Sequence, residues 1–369
     1  MKSQNFFGER ADLIQSSMRT IPRAPAPDSG IFVCGAEETW STAEDKVFYL
    51  KALRELGLPI ARSILNADCI LFISWYVLQS QRYRWLRKVF RRKRFFALLT
   101  SDPKADEASF LATAGIADRY VCVNRVQMDH LGALGMMNRV LYNPIYVDEK
   151  QFAPLALDRR EICRRLGIEA SLLGDRLLIG SFQRDSLGKD LSRPKWQKGP
   201  TMLLDILSHL DRNRYLLVLA GPRRHFVVNR CRELRIPYLF VGDEKPINDC
   251  IDDFGTHGNI RSSSELALLY NLIDLYLVTS NSEGGPKAVL EAPLCHTPVL
   301  STDVGMSRDV LTPYSIYRSQ DEAIRKILEL CCQPELRSSL INDNFQKVFA
   351  LNHWAAFTQR VGAMFCDVQ

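Results

Sequence analysis

The chain has 369 residues, of which 46% are hydrophobic and 24% charged, with a net charge of +6; that length suits two α/β domains better than one core. The longest apolar run, Cys69–Leu78 with Ser74 tolerated, falls far short of the roughly 20 residues a membrane span needs, and Met1–Arg10 lacks the apolar core of a signal peptide, so a cytoplasmic protein is expected. Ten cysteines without a C-x-x-C pair read as buried reduced thiols, and the six histidines show no zinc-ligand clustering.

Residues 1–29 have no periodicity and end in Pro22-Arg23-Ala24-Pro25-Ala26-Pro27-Asp28, which predicts an extended arm. From Gly30 strands and helices alternate. Ile31–Cys34 reads as a short strand ending at Gly35, and Ala43–Leu56 as a helix closed by Gly57. Cys69–Trp75, Phe95–Leu99 and Tyr120–Val123 read as buried strands. Continuous apolar runs between helical patterns predict a parallel sheet, hence a small Rossmann-like domain over residues 30–146.

Residues 1–150 hold 21 Lys and Arg against 16 Asp and Glu. Most of this excess lies in Arg82–Phe96, which has eight cations interleaved with aromatics and no acid. An anionic membrane surface would attract such a segment. A solvated helix with its apolar residues on the core gives the same pattern. Nucleic acid would use the same ingredients, although it is not the expected partner.

The second half alternates more regularly. Strands are predicted at Leu177–Phe182, Tyr215–Ala220, Tyr238–Val241, Leu275–Thr279 and Pro298–Ser301. Helices are predicted at Pro200–His209, Val227–Leu234, Ser263–Leu272 and Pro286–Ala292. Ligands of open α/β sheets bind beyond the carboxyl ends of the strands. Ser181–Arg184, Gly221, Gly242, Glu283 and Thr302–Gly305 fall at those ends and are expected to share one face. A last helical pattern runs from Asn352 to Phe365.

Within this half, Ser280-Asn281-Ser282-Glu283-Gly284-Gly285-Pro286-Lys287-Ala288-Val289-Leu290-Glu291 carries the chemistry. Pro286 suits the first position of a helix, where its missing N–H costs nothing. Glu283 then precedes the helix and Glu291 lies about five residues into it, a rise of roughly 7.5 Å. The N–H groups of Gly284, Gly285 and Lys287 would point into the same space. Carboxylates accept hydrogen bonds from sugar hydroxyls while a helix N-terminus attracts phosphate, so the expected ligand is both polyhydroxylated and anionic.

This segment resembles the E-x7-E region of family-4 retaining glycosyltransferases, which have the two-domain GT-B fold. Thr297–Gly305 resembles the strand and glycine loop that follow it there. Asn143-Pro144-Ile145-Tyr146-Val147-Asp148, then Phe152, is similar to the junction between the family's two domains. The resemblance implies an α/β, GT-B-like chain with a boundary near residue 146. It further implies a donor-binding Rossmann-like domain over 147–350 and a tail over 351–369 that crosses back to the first domain.

In similar enzymes an Arg and a Lys-Gly reach the donor's diphosphate, which implies Arg184 and Lys198-Gly199 here. The cations Lys189, Arg193 and Lys195 in the intervening insert are rivals for the lysine's place. The resemblance also implies that Glu283 bonds hydroxyls of the transferred sugar and that Glu291 bonds the nucleotide ribose. Partners would be a nucleoside-diphosphate sugar and a glycan or lipid-linked acceptor, with the chain peripheral at the inner face of a membrane if Arg82–Phe96 docks there. The leaving phosphate would help take the acceptor proton. No D-x-D clamp is evident, Asp252-Asp253 reading as a solvated pair, so no cofactor and no metal are expected.

The acceptor side departs from the family, which often presents a histidine; none occurs before His130. Asp102 lies at a suitable strand end for a catalytic role, although an Asp there also caps turns. Gly35 could let an acceptor or phosphate approach closely, or serve a simple turn. His296 stands where relatives often have Gly. A nucleotide-sugar epimerase of the same fold, or a non-catalytic nucleotide-sugar-binding protein, are the alternatives.

Overall fold

The computed structural model describes residues 30–35, 41–186, 190–243 and 259–366. The predicted arm over 1–29, Lys189 and Asp252-Asp253 lie outside these residues. The first sheet holds five parallel strands in sequential order: β1 (Gly30–Cys34), β2 (Ala67–Phe72), β3 (Arg94–Leu98), β4 (Arg119–Cys122) and β5 (Val140–Tyr142). Its helices are α1 (Ser41–Glu55), α2 (Gln81–Val89), α3 (Glu107–Leu111) and α4 (Arg125–Ala133). The strand β5 had no sequence-based expectation, because three residues ahead of an Asn-Pro turn give too short a run to read.

The second sheet has six parallel strands in the order β11-β10-β9-β6-β7-β8. These are β6 (Leu177–Ser181), β7 (Tyr215–Ala220), β8 (Tyr238–Val241), β9 (Leu275–Val278), β10 (Val299–Thr302) and β11 (Ile316–Tyr317). The helices are α5 (Arg159–Leu166), α6 (Pro200–Ser208), α7 (His225–Leu234), α8 (Ser263–Leu272), α9 (Ala288–Leu294), α10 (Ser307–Val310), α11 (Gln320–Cys332), α12 (Pro334–Asn352) and α13 (Trp354–Phe365). The order changes direction at β6 and β9, the type of position at which open α/β sheets bind ligands. Each sheet is covered on both faces, giving four hydrophobic clusters, as parallel sheets require.

Local chemistry explains several boundaries. Ser262 and Glu265 form a reciprocal capping box at the start of α8, satisfying two otherwise unpaired donors. Asn124 caps α4 by accepting from Gln127 N at 2.8 Å. The helix expected from Pro286 begins instead at Ala288. Pro286 and Lys287 form its entry turn, with Val289 N bonded to Pro286 O at 3.0 Å. His296 ends that helical region at φ +58°, in the left-handed region that favours glycine, which is the physical reason a Gly suits this place.

The tail returns to the first sheet. Phe365 stacks on Phe96 at 5.5 Å, Phe357 packs edge-on against Tyr49 at 5.2 Å, and Trp354 Nε1 donates to Glu55 Oε2 at 2.7 Å. The extended stretch between the sheets is pinned to it: Asn352 Nδ2 donates to Val147 O at 2.8 Å and Arg360 Nε to Asn143 Oδ1 at 3.0 Å. Among the described cysteines, Cys69, Cys122, Cys163, Cys231 and Cys295 are free and buried, whereas Cys331, Cys332 and Cys366 are free and exposed.

Candidate active site

The carboxyl ends of the two sheets face each other. On the second sheet, the turn after β6 brings Gln183 and Arg184 beside the segment after β9. Gln183 Nε2 donates to Lys198 O at 3.0 Å, and Ser280 Oγ donates to Glu283 Oε1 at 2.8 Å. Lys198 Nζ donates to the same Glu283 oxygen, and the two side chains are only 20% and 11% exposed. Gly199 holds this junction at φ +56°, and a Cβ there would meet Thr279 O at 1.8 Å. A glycine is therefore required where the Lys-Gly pair turns into α6. Gly221, at φ +93° after β7, has the same role against Phe182 O at 2.6 Å.

A group of cations surrounds this point. Burial lowers the Arg184 pKa, and neighbouring Arg223 adds to the effect while Glu283 opposes it. Lys195 is pushed down to about 7, first by burial and then by Arg184 and Lys198. The cluster is short of negative charge, as an anion site is. Nearby, Asp185 and Arg224 form a fully buried pair at 3.4 Å. Asp185 also accepts from Val227 N at 3.3 Å, which anchors the first turn of α7 to the loop after β6.

Glu291 lies in the first turn of α9 and is 7% exposed. Its Oε2 accepts from Tyr270 Oη at 2.7 Å. Tyr270 thus supplies a hydroxyl partner of the kind that was expected from a ribose. Burial pushes the carboxyl up to about 7, against the opposing pull of Tyr270 and Lys287.

The first domain closes over the glycine turn. Ser282 Oγ donates to Asp102 Oδ2 at 3.0 Å, while the other Asp102 oxygen caps the following turn through Lys104 N, also at 3.0 Å. Asn124 Nδ2 donates to Gly284 O, and Arg125 N to Asp309 Oδ2 at 2.9 Å. A Cβ on Gly284 would lie 2.3 Å from Thr100 O, and one on Gly285 2.5 Å from Ile145 Cδ1. These two glycines are needed for close approach of the domains. Lys287 Nζ reaches Glu44 at 3.1 Å and Asp45 at 3.0 Å, and Ser263 Oγ donates to Glu44 Oε1 at 2.6 Å.

Glu283, Arg184, Lys198, Gly221 and the Gly284–Lys287 turn are thus brought to one cleft, with Asp102 opposite. Gly35 follows β1, with Ile73 3.1 Å from where its Cβ would be, a close packing contact. Sequence reasoning missed Glu44, Asp45, Asn124, Ser263 and Tyr270. Glu44 and Asp45 carried a usable signal, two carboxylates at the start of a helical pattern just after the first strand, where helix N-termini face the cleft.

Paired parallel sheets with a cleft between their carboxyl ends, crossed by a returning helix, define the class of GT-B glycosyltransferases. Residues 191–347 match the model of the family Glycosyl transferases group 1. No curated protein matches the sequence. The fold is similar to that of Anabaena Alr3699/HepE in complex with UDP and glucose: the TM-score is 0.69 at 13% identity, over 92% of this chain and 99% of that one. Sucrose-phosphate synthase from Thermosynechococcus elongatus gives 0.63 at 16%, over 88% and 77%. A glycosyltransferase from Rickettsia africae gives 0.62 at 12%, over 92% and 98%. At these identities the likeness establishes the fold.

Proposed function

We propose that the chain is a retaining, family-4-type glycosyltransferase that moves a sugar from a nucleoside-diphosphate donor to a hydroxyl of a glycan or lipid-linked acceptor. The observation that carries this reading is the Lys198–Glu283 pair inside the Arg184–Lys195 cation cluster. Each member of the pair offers what one half of such a donor needs. The diphosphate takes Lys198, and the sugar hydroxyls take the Glu283 carboxylate, so one ligand exchanges one ion pair for two matched contacts.

Arg184 adds a planar fork for phosphate oxygens. As the bond between sugar carbon and diphosphate breaks, negative charge grows on the phosphate, and these fixed cations stabilise it more than they stabilise the ground state. The acceptor oxygen attacks on the face the leaving group departs from, and its proton passes to the leaving phosphate, so no strong protein base is required. Asp102 stands on the acceptor side of the cleft and orients Ser282 beside the sugar site. Glu291 bonds the ribose through Oε1. The cation cluster supplies the charge that a divalent ion gives in other phosphate sites, which supports a metal-independent reaction.

A panel of UDP-, GDP- and ADP-sugars, scored for thermal stabilisation and slow donor hydrolysis, tests this. One donor is expected to stabilise the wild type and to lose that effect in Arg184→Ala. Silence across the whole panel would overturn the proposal.

A further inference from the structure

Helix α2 has an outer face that neither the fold nor the donor site uses. At about 100° per residue, its residues divide into two arcs. Tyr83, Leu86 and Arg87 point inward. Leu86 is buried, Tyr83 packs edge-on against Phe72 at 5.0 Å, and Arg87 binds Asp118 Oδ2 at 3.1 Å. On the other arc Arg84, Lys88, Trp85, Val89 and Arg82 follow one another around the helix, all exposed. Trp85 and Val89 stand one turn apart and form an apolar ridge, 60% and 50% exposed, with Arg84 and Lys88 on one flank and Arg82 on the other. The turn after the helix adds exposed Arg91 and Arg92. Lys93 Nζ ties that turn to the loop bearing Leu65, donating to Leu65 O at 2.8 Å, and Leu65 is itself 72% exposed. The helix contains no acidic residue.

We infer that this face docks on an anionic lipid surface, with Trp85 and Val89 entering the headgroup region and the surrounding cations paired with lipid phosphates. A Trp ridge between cations is the arrangement an interfacial helix presents to a bilayer. The aliphatic members decide between charged partners: Val89 and Leu65 gain nothing on a nucleic-acid backbone but are removed from water in a membrane interface. The inner arc also links the surface to the cleft. Tyr83 Oη lies 3.3 Å from Cys34 Sγ at the carboxyl end of β1, next to Gly35, so a bound membrane lies against the first domain beside the cleft.

The test is sedimentation of the full chain with phosphatidylcholine vesicles, with and without phosphatidylglycerol, and in parallel a duplex and a single-stranded DNA titration at the same salt. Binding is expected only with phosphatidylglycerol and is expected to weaken as salt rises. Each cation contributes about fivefold, so Arg84→Gln/Lys88→Gln/Arg91→Gln/Arg92→Gln should weaken it by a hundredfold or more. Trp85→Ser should weaken binding while leaving its salt dependence unchanged, and the blue shift that vesicles cause in the wild-type tryptophan fluorescence should be lost from the four tryptophans this variant retains. All five positions are exposed, so circular dichroism should match the wild type. Equal binding to neutral vesicles, no binding to anionic ones, or tighter binding to DNA than to vesicles would each overturn the inference. None of these outcomes depends on donor turnover.

Discussion

Lys287 of the second domain and Asp45 of the first meet across the cleft, Nζ to Oδ1 at 3.0 Å, with side chains only 12% and 8% exposed. Burial works against the lysine's charge, but Asp45 and Glu44 outweigh it and raise its pKa. The pair links α9, which carries Glu291, to α1 of the opposite domain. Domain closure and the buried Glu291 carboxylate therefore share one charge network.

A double-mutant cycle of Lys287→Met and Asp45→Asn is expected to give a coupling of about 0.5–3 kcal/mol in denaturant unfolding. Lys287→Met leaves the nearly buried Asp45 carboxylate without its cation, which is costly, whereas Asp45→Asn leaves Lys287 with Glu44. Solution scattering should show a larger radius of gyration for Lys287→Met. An unchanged radius together with zero coupling would mean that the contact does not hold the domains together.

Gly284→Ala places a methyl group 2.3 Å from Thr100 O, a backbone atom of the facing domain. The second domain has no reason to misfold, because the obstruction lies outside it. The expected phenotype is a wild-type circular dichroism spectrum with turnover down by on the order of a hundredfold, the cost of a misplacement near 1 Å. Wild-type turnover in this variant would show that so close an approach is not needed for catalysis.

Glu291 has its folded pKa raised from 4.5 to about 7. The folded state therefore holds a proton that the unfolded state releases between those values, and stability falls as pH rises through that window. Relative to Glu291→Gln, the wild type should lose about 3 kcal/mol between pH 4.5 and 7 and change no further above it. Parallel stability curves for the two proteins across this range would refute the assignment.

Lys195, held down to about 7 by burial and by its cationic neighbours, should take up a proton when a diphosphate arrives. Calorimetry of the donor in buffers of different ionisation enthalpy, just above pH 7, should record net uptake, and Lys195→Met should abolish it. Uptake that persists in the variant would assign the proton to another group.

Much of this architecture was legible in the sequence. Tyr215–Ala220, Tyr238–Val241 and Ser263–Leu272 are found at the bounds their patterns predict, because fully apolar strands and a capped helix are local signals. The start of α9 was misplaced by two residues: Pro286 is as compatible with an entry turn as with a first helical position. The glycines of the E-x7-E segment were read as freeing N–H groups for a ligand, yet Gly284 and Gly285 face Thr100 and Ile145. Contacts of that kind join residues more than a hundred positions apart, so no local pattern encodes them. Tyr270 was missed as the partner of Glu291 although it lies only 21 residues away, because the two sit on different helices, α8 and α9, whose packing no local pattern encodes.

The central claim is that Lys198 and Glu283 exchange their mutual ion pair for the two halves of a nucleotide-sugar donor. The most direct measurement is release of nucleoside diphosphate from the stabilising donor, by the wild type and by Lys198→Ala. The account predicts slow release by the wild type and at least a hundredfold less by the variant, since a fixed charge on the leaving group is worth about 3–4 kcal/mol in the transition state. Equal release by the two proteins would contradict it.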